Sequence, residues 1–231
     1  MSNLASSLPA WSLPSGGVVL WLGLVFGLAS WLHQRQPGRP ELPRKVVHLG
    51  TGNVILLAWW GQIPAWVGIL AAIVAGTAAL VSYWLPILPS INSVGRPSYG
   101  TFFYAVSIGV LIAWFWPLGL PQYAALGILV MTWGDGLAAL VGQRWGQHRY
   151  TLAGVTKSWE GSLTMALVGG GLGGLILWSS GVPQPLSCAL LIGVTAAVLE
   201  VVSWLGLDNL TVPLGTAGLA YLLGGTGYAG G

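Results

Sequence analysis

Eight apolar runs divide this chain, and the breaks between them alternate between charged and uncharged. The runs fall near residues 16–32, 43–60, 64–85, 98–116, 122–142, 158–179, 186–205 and 210–224. A helix needs about 20 mostly apolar residues to cross a bilayer core. Within that core only helices and closed barrels satisfy their own backbone groups, and no period-two alternation suggests a barrel. Charged residues make up 6% of the 231, whereas a soluble domain carries about 25%, so the chain lacks the polar surface for a soluble fold. The expected architecture is all-α: a polytopic integral membrane bundle of seven or eight transmembrane helices, forming a single domain over residues 1–231. The 36 glycines suit close helix approach and the 14 tryptophans suit the headgroup level. The first 15 residues hold no basic segment, so no cleavable signal peptide is expected. The single cysteine, Cys188, rules out an intrachain disulfide.

The placement of charge supports the helix count. Arg35, Arg39, Arg44 and Lys45 lie between the first two runs, Arg96 between the third and fourth, and Arg144, Arg149 and Lys157 between the fifth and sixth. The intervening connections, Gly61 to Ile63, Pro117 to Pro121 and Ser180 to Pro185, carry no charge. All 8 basic residues therefore fall on one side, which the positive-inside rule makes cytoplasmic, with both termini on the other. Glu41, Glu160, Glu200 and Asp208 follow the same side. Asp135 lies seven residues before Gly142, about 10 Å below that face at about 1.5 Å per residue. Ionisable groups gathered at one face imply a polar pocket open to the cytoplasm, not a route across the membrane. Basic residues so few and so near a bilayer do not suggest nucleic-acid binding.

Asp135 stands out because a charge at membrane depth costs at least about 2.5–3.5 kcal/mol. Its neighbours Gly134, Ala138 and Gly142 form a small-residue stripe that reads as a helix–helix contact, but packing does not need the carboxylate. A carboxylate in such surroundings suits Mg²⁺ shared with phosphate oxygens. Lys157 and Glu160 open the sixth run, where free backbone N–H groups favour an anion. An ion pair between Lys157 and Glu160 is the structural alternative, and Ser158 or Thr156 is the expected cap. Arg144, His148 and Arg149 read as readily as topology determinants as ligands. The run Gly169 to Gly171 with Gly173 and Gly174 reads as packing or a flexible point. Arg44, Lys45 and His48 open the second run, with Thr51 on the face of His48. Arg96, Ser98 and Tyr99 open the fourth, and Glu200, Asp208 and Asn209 close the seventh. No zinc spacing and no Ser-His-Asp set is present.

Taken together, these segments resemble the polyprenol kinase family. The matching residues are Asp135-Gly136-Leu137-Ala138-Ala139-Leu140-Val141-Gly142 with Gly146 and His148, then Lys157-Ser158-x-Glu160-Gly161-Ser162. Arg44-Lys45-Val46-Val47-His48, Arg96-x-Ser98-Tyr99-Gly100-Thr101 and Asp208-Asn209-Leu210-Thr211-Val212-Pro213 match further segments, so the likeness covers roughly 40–215. The family includes phytol, farnesol and dolichol kinases and is related to CTP:phosphatidate cytidylyltransferases. The resemblance implies a membrane enzyme that moves the γ-phosphate of CTP to an isoprenoid alcohol. The short chain looks most like a phytol kinase, which would feed tocopherol or other prenyl-lipid metabolism in a bacterial, thylakoid or plastid membrane.

On this resemblance, Asp135 and Asp208, with Glu200 as a further candidate, are expected to hold Mg²⁺. Nucleotide contacts are expected from Arg96, Arg144, His148, Lys157, Ser158 and Asn209, and alcohol contacts from Lys45, His48, Ser98 and Tyr99. Asp135, Lys157, Glu160 and Glu200 form the catalytic set, with Glu160 and Glu200 both open as the base. The cytidylyltransferases end in a signature with Gly-His-Gly-Gly and paired aspartates, which is absent here. That favours the kinase over cytidylyl transfer to a lipid phosphate. A transporter or passive lipid-binding protein is the reading from another class, and the bare opposite face counts against transport.

Overall fold

A computed structural model describes residues 9–36, 38, 41–85, 99–152 and 154–224. These form nine helices and one two-stranded hairpin. In chain order they are α1 (Ser12–Arg35), α2 (Glu41–Gly52), α3 (Val54–Trp60), α4 (Ala65–Ser82), α5 (Gly100–Phe115), α6 (Pro121–Trp145), β1 (Arg149–Leu152), β2 (Val155–Ser158), α7 (Trp159–Ser179), α8 (Pro185–Val201) and α9 (Asp208–Gly224). Helices α1, α4, α6 and α7 are each long and apolar enough to cross a membrane, and α5 and α8 are shorter apolar helices. The all-α membrane bundle expected from the sequence is the fold observed.

The bundle is built around α6. Pro121 sits in its first turn, where a missing N–H is no loss. Apolar side chains all round its first half, from Tyr123 to Met131, are buried, as in a helix with neighbours on every side. The small-residue stripe does pack as read. A Cβ on Gly134 would come 2.5 Å from Met165 Sδ, and one on Gly142 would come 3.0 Å from Ser158 Oγ, so α7 lies close along that face. Gly136 turns the other way, where a Cβ would come 2.8 Å from Leu49. That gap lets α2 approach beside Asp135. The glycine run of α7 is likewise a packing surface, since a Cβ on Gly170 would meet the Ala189 carbonyl of α8 at 2.8 Å. Gly127 leaves room for the backbone of Pro213 in α9.

Three elements differ from the sequence reading. The run 43–60 is not one helix but two, α2 and α3, joined at Asn53. Asn53 Nδ2 donates to the Leu49 carbonyl at 2.8 Å and its Oδ1 accepts from Trp133 Nε1 at 3.1 Å. A side chain that bonds the backbone in this way competes with continued helix. Helix α6 runs three residues past its expected end at Gly142, so Arg144 is in its last turn and not in a loop. The connection expected between the runs ending at 142 and starting at 158 holds a hairpin, with Tyr150 opposite Lys157 and Leu152 opposite Val155. Gly154 adopts φ +79° at the turn, a conformation that favours glycine.

Candidate active site

Alternation along β2 decides where Lys157 goes. Thr156 is exposed, whereas Val155 and Lys157 are turned inward, as strand periodicity requires. Lys157 therefore reaches across to α8 and does not fold back on Glu160. Its Nζ lies 2.7 Å from Glu200 Oε1 and also donates to the Glu200 backbone carbonyl. Both side chains are about seven-eighths buried, with 14% and 12% exposed. Glu200 Oε2 is buried without a hydrogen-bond partner.

Lys45 and His48 lie one turn apart on the face of α2 that meets α6. Lys45 Nζ is 2.8 Å from Asp135 Oδ2, and His48 Nε2 is 3.6 Å from the same oxygen. Lys45, assigned to the alcohol by resemblance, is thus the ion partner of Asp135. Below this pair a polar junction ties three helices together. The Tyr104 hydroxyl of α5 donates to the His48 carbonyl at 2.8 Å and lies 3.1 Å from Thr132 Oγ1 of α6. Thr51 Oγ1 bonds the Val47 carbonyl at 2.7 Å.

Asp208 is the third carboxylate near these pairs. It opens α9 and lies within electrostatic reach of Asp135, Lys157 and Glu200. Its Oδ1 accepts from the backbone N–H and the side-chain amide of Asn209, at 2.9 and 3.2 Å. Asn209 Oδ1 is buried without a partner. The turn that delivers these residues passes through Leu205 and Gly206, both left-handed with φ 54° and 86°. The Leu205 carbonyl accepts from Tyr99 N–H at 3.1 Å, which places the start of α5 beside the same turn.

Glu160, His148, Ser158 and Arg144 find partners other than these charged pairs. Glu160 Oε1 is 2.7 Å from His148 Nδ1 and accepts from the backbone N–H groups of Gln147 and His148, each at 3.2 Å. It braces the link between α6 and β1. Ser158 is the cap of α7, its hydroxyl accepting from Gly161 N–H at 3.1 Å. The Arg144 guanidinium lies over the Trp145 ring, 5.4 Å from its centre. Arg96 and Ser98 lie outside the described residues, as does Arg39. Sequence reasoning did not single out Tyr104 and Thr132. A lone hydroxyl in an apolar run carries no signal until the helices that meet it are known.

Membrane-length helices with buried ion pairs joined at one end define an integral-membrane bundle with a charged centre fed by five elements. Among known proteins, the chain is 50% identical over 221 residues to a phytol kinase of Synechocystis sp., covering 95% of this chain and 94% of that one. It is 27% identical over 237 residues to phytol kinase 1, chloroplastic, of Arabidopsis thaliana, covering 90% of this chain and 75% of that protein. It is 28% identical over 211 residues to the CTP-dependent diacylglycerol kinase 1 of Schizosaccharomyces pombe, covering 79% and 93%. The chain belongs to the polyprenol kinase family. No family model matches it, and no solved structure matches it.

Proposed function

We propose that the chain transfers the γ-phosphate of CTP to the hydroxyl of an isoprenoid alcohol, phytol foremost, with geranylgeraniol and farnesol as further acceptors. The observation that carries this reading is the linked set Lys45–Asp135, Asp208 and Lys157–Glu200, in a chain half identical to a phytol kinase along nearly its whole length. Similarity to a CTP-dependent lipid kinase supports CTP as donor. Phosphoryl transfer depends chiefly on positioning and on neutralising charge at the phosphate oxygens, and a cluster of fixed charges at one depth supplies both.

With every carboxylate ionised, Asp135, Glu200 and Asp208 outnumber Lys45 and Lys157 by one negative charge. The unpartnered Asn209 Oδ1 adds a hard oxygen donor, and the unpartnered Glu200 Oε2 is left free to accept a proton. Such a set fits Mg²⁺, which is typically held by one or two carboxylates together with substrate phosphates. Among the described residues no three His, Cys, Asp or Glu converge into a metal cage, so the ion would also need oxygens from the nucleotide. Bound between Asp135 and Asp208, Mg²⁺ would neutralise charge on the β- and γ-phosphates. Lys157 neutralises a further phosphate oxygen, and Lys45 holds the Asp135 carboxylate in place. The alcohol oxygen bonds to the γ-phosphorus, the bond from that phosphorus to the bridging oxygen breaks, and CDP leaves. Glu200 takes the hydroxyl proton on Oε2, because Glu160 is already engaged by His148 and two backbone N–H groups.

In this reading Arg144 and His148 meet the outer part of the nucleotide, and Tyr99 meets the alcohol. The whole chain acts as one catalytic domain, with the charged end on the cytoplasmic or stromal side. The test is transfer from γ-labelled CTP, with Mg²⁺ and detergent-solubilised protein, to phytol, geranylgeraniol, farnesol and diacylglycerol. Label in the isoprenoid phosphate supports the reading. Label in diacylglycerol alone would reassign the acceptor, and pyrophosphate release on adding a lipid phosphate would reassign the reaction.

A further inference from the structure

Resting on the kinase reading, we infer that the groove between α4 and α5 holds the branched tail of the alcohol and sets which chain lengths are turned over. The groove has a volume of about 380 Å³, within the range of small-molecule sites. Among its lining side chains only Thr77 carries a polar group. Its floor is made by small residues where the antiparallel helices nearly touch. A Cβ on Gly109 would come 3.0 Å from Ala72 Cβ, and one on Gly76 would come 3.7 Å from Ala105 Cβ.

The shape favours a branched chain over a straight one. Phe102, Val106 and Val110 form one wall, spaced by four residues, or about 6 Å at 1.5 Å per residue. An isoprenoid carries one methyl branch per isoprene unit, a spacing close to that of the wall, so its branches seat between the wall residues. A straight acyl chain has nothing to place there. The groove is also oriented correctly for the substrate. Its inner end lies at Leu80 and Phe102, next to the Tyr83 and Tyr99 rings, whose centres are 5.3 Å apart. Tyr99 N–H bonds the Leu205 carbonyl, three residues before Asp208. A hydroxyl leaving the groove past Tyr99 thus enters the charged centre from the start of α5. The outer end, at Ile69 and Ala113, lies about 16 Å away along the helices.

Ala113 is exposed, so Ala113→Leu narrows the outer end with no disturbance of the core. Gly76→Leu narrows the groove nearer its inner end. The measurement is kcat/KM with CTP for geraniol, farnesol, geranylgeraniol and phytol, with Leu167→Ala on the far face of α7 as control. Ala113→Leu should lower kcat/KM for geranylgeraniol and phytol by at least about tenfold, the scale of a methylene misfit, and leave farnesol unchanged. Gly76→Leu should also lower farnesol. An Ala113→Leu enzyme that keeps the wild-type preference, or loses all four alcohols equally, would overturn the proposal and assign the groove to bilayer lipid. A failure of the kinase reading is distinguishable, because the wild type would then phosphorylate none of them.

Discussion

Lys45 and Asp135 are 90 residues apart in sequence and 2.8 Å apart in the fold. Removing one partner of a buried pair strands the other and costs about 3–5 kcal/mol. Asp135→Asn should therefore lower both activity and thermal stability, whereas Asp135→Asn with Lys45→Met should regain much of the stability and none of the activity. Unfolding midpoints and turnover measured on the same preparations separate the two effects. A second contrast concerns the base: Glu200→Gln should lower kcat at least about 100-fold, the scale of losing one fixed catalytic group, and Glu160→Gln should retain most of it. Comparable losses in both would contradict the assignment of the proton to Glu200. Asp135 was legible in the sequence because a carboxylate in an apolar run is conspicuous. Its partner was not, since Lys45 lies on another helix and its proximity depends on the missing side chain at Gly136. The structural alternative for Glu160, an ion pair with Lys157, does not form, because the strand period sends Lys157 to Glu200 and leaves Glu160 to His148.

Glycines of α7 test the element scale. A Cβ on Gly170 would meet the backbone carbonyl of Ala189, whereas one on neighbouring Gly171 would meet nothing within 4 Å. Gly170→Ala should destabilise by about 1–3 kcal/mol through overpacking, and Gly171→Ala should be neutral or stabilising by up to about 1 kcal/mol. Thermal unfolding in detergent checks the pair, and equal shifts would contradict the α7–α8 contact. The close approach of α6 to α7 could be read from small residues at one-turn intervals. The hairpin was missed because each strand is only 4 residues long. Yet Tyr, Thr and Val around Ala153-Gly154 carry a strand-and-turn signal, and a search for transmembrane runs passes over it. The break at Asn53 had no comparable signal, because it depends on Trp133 of α6 donating to the Asn53 side chain.

Across the whole molecule, the alternation of charged and bare connections predicts which segments share a side. In a Cys188→Ala background, Thr151→Cys in the hairpin should react with an impermeant maleimide only from the cytoplasmic face, and Leu118→Cys, between α5 and α6, only from the opposite face. Labelling of both from one side would contradict the topology. Topology matters to function because it brings together five elements distant in sequence, so that two lysines and three carboxylates lie within electrostatic reach of one another. The most direct test of that centre as a phosphoryl-transfer site uses CTP labelled at either the α- or the γ-phosphate, with phytol as acceptor. γ-Label alone should enter the lipid, CDP should accumulate in step, and Asp135→Asn should abolish both. Entry of α-label into lipid, or transfer that survives Asp135→Asn, would contradict that role.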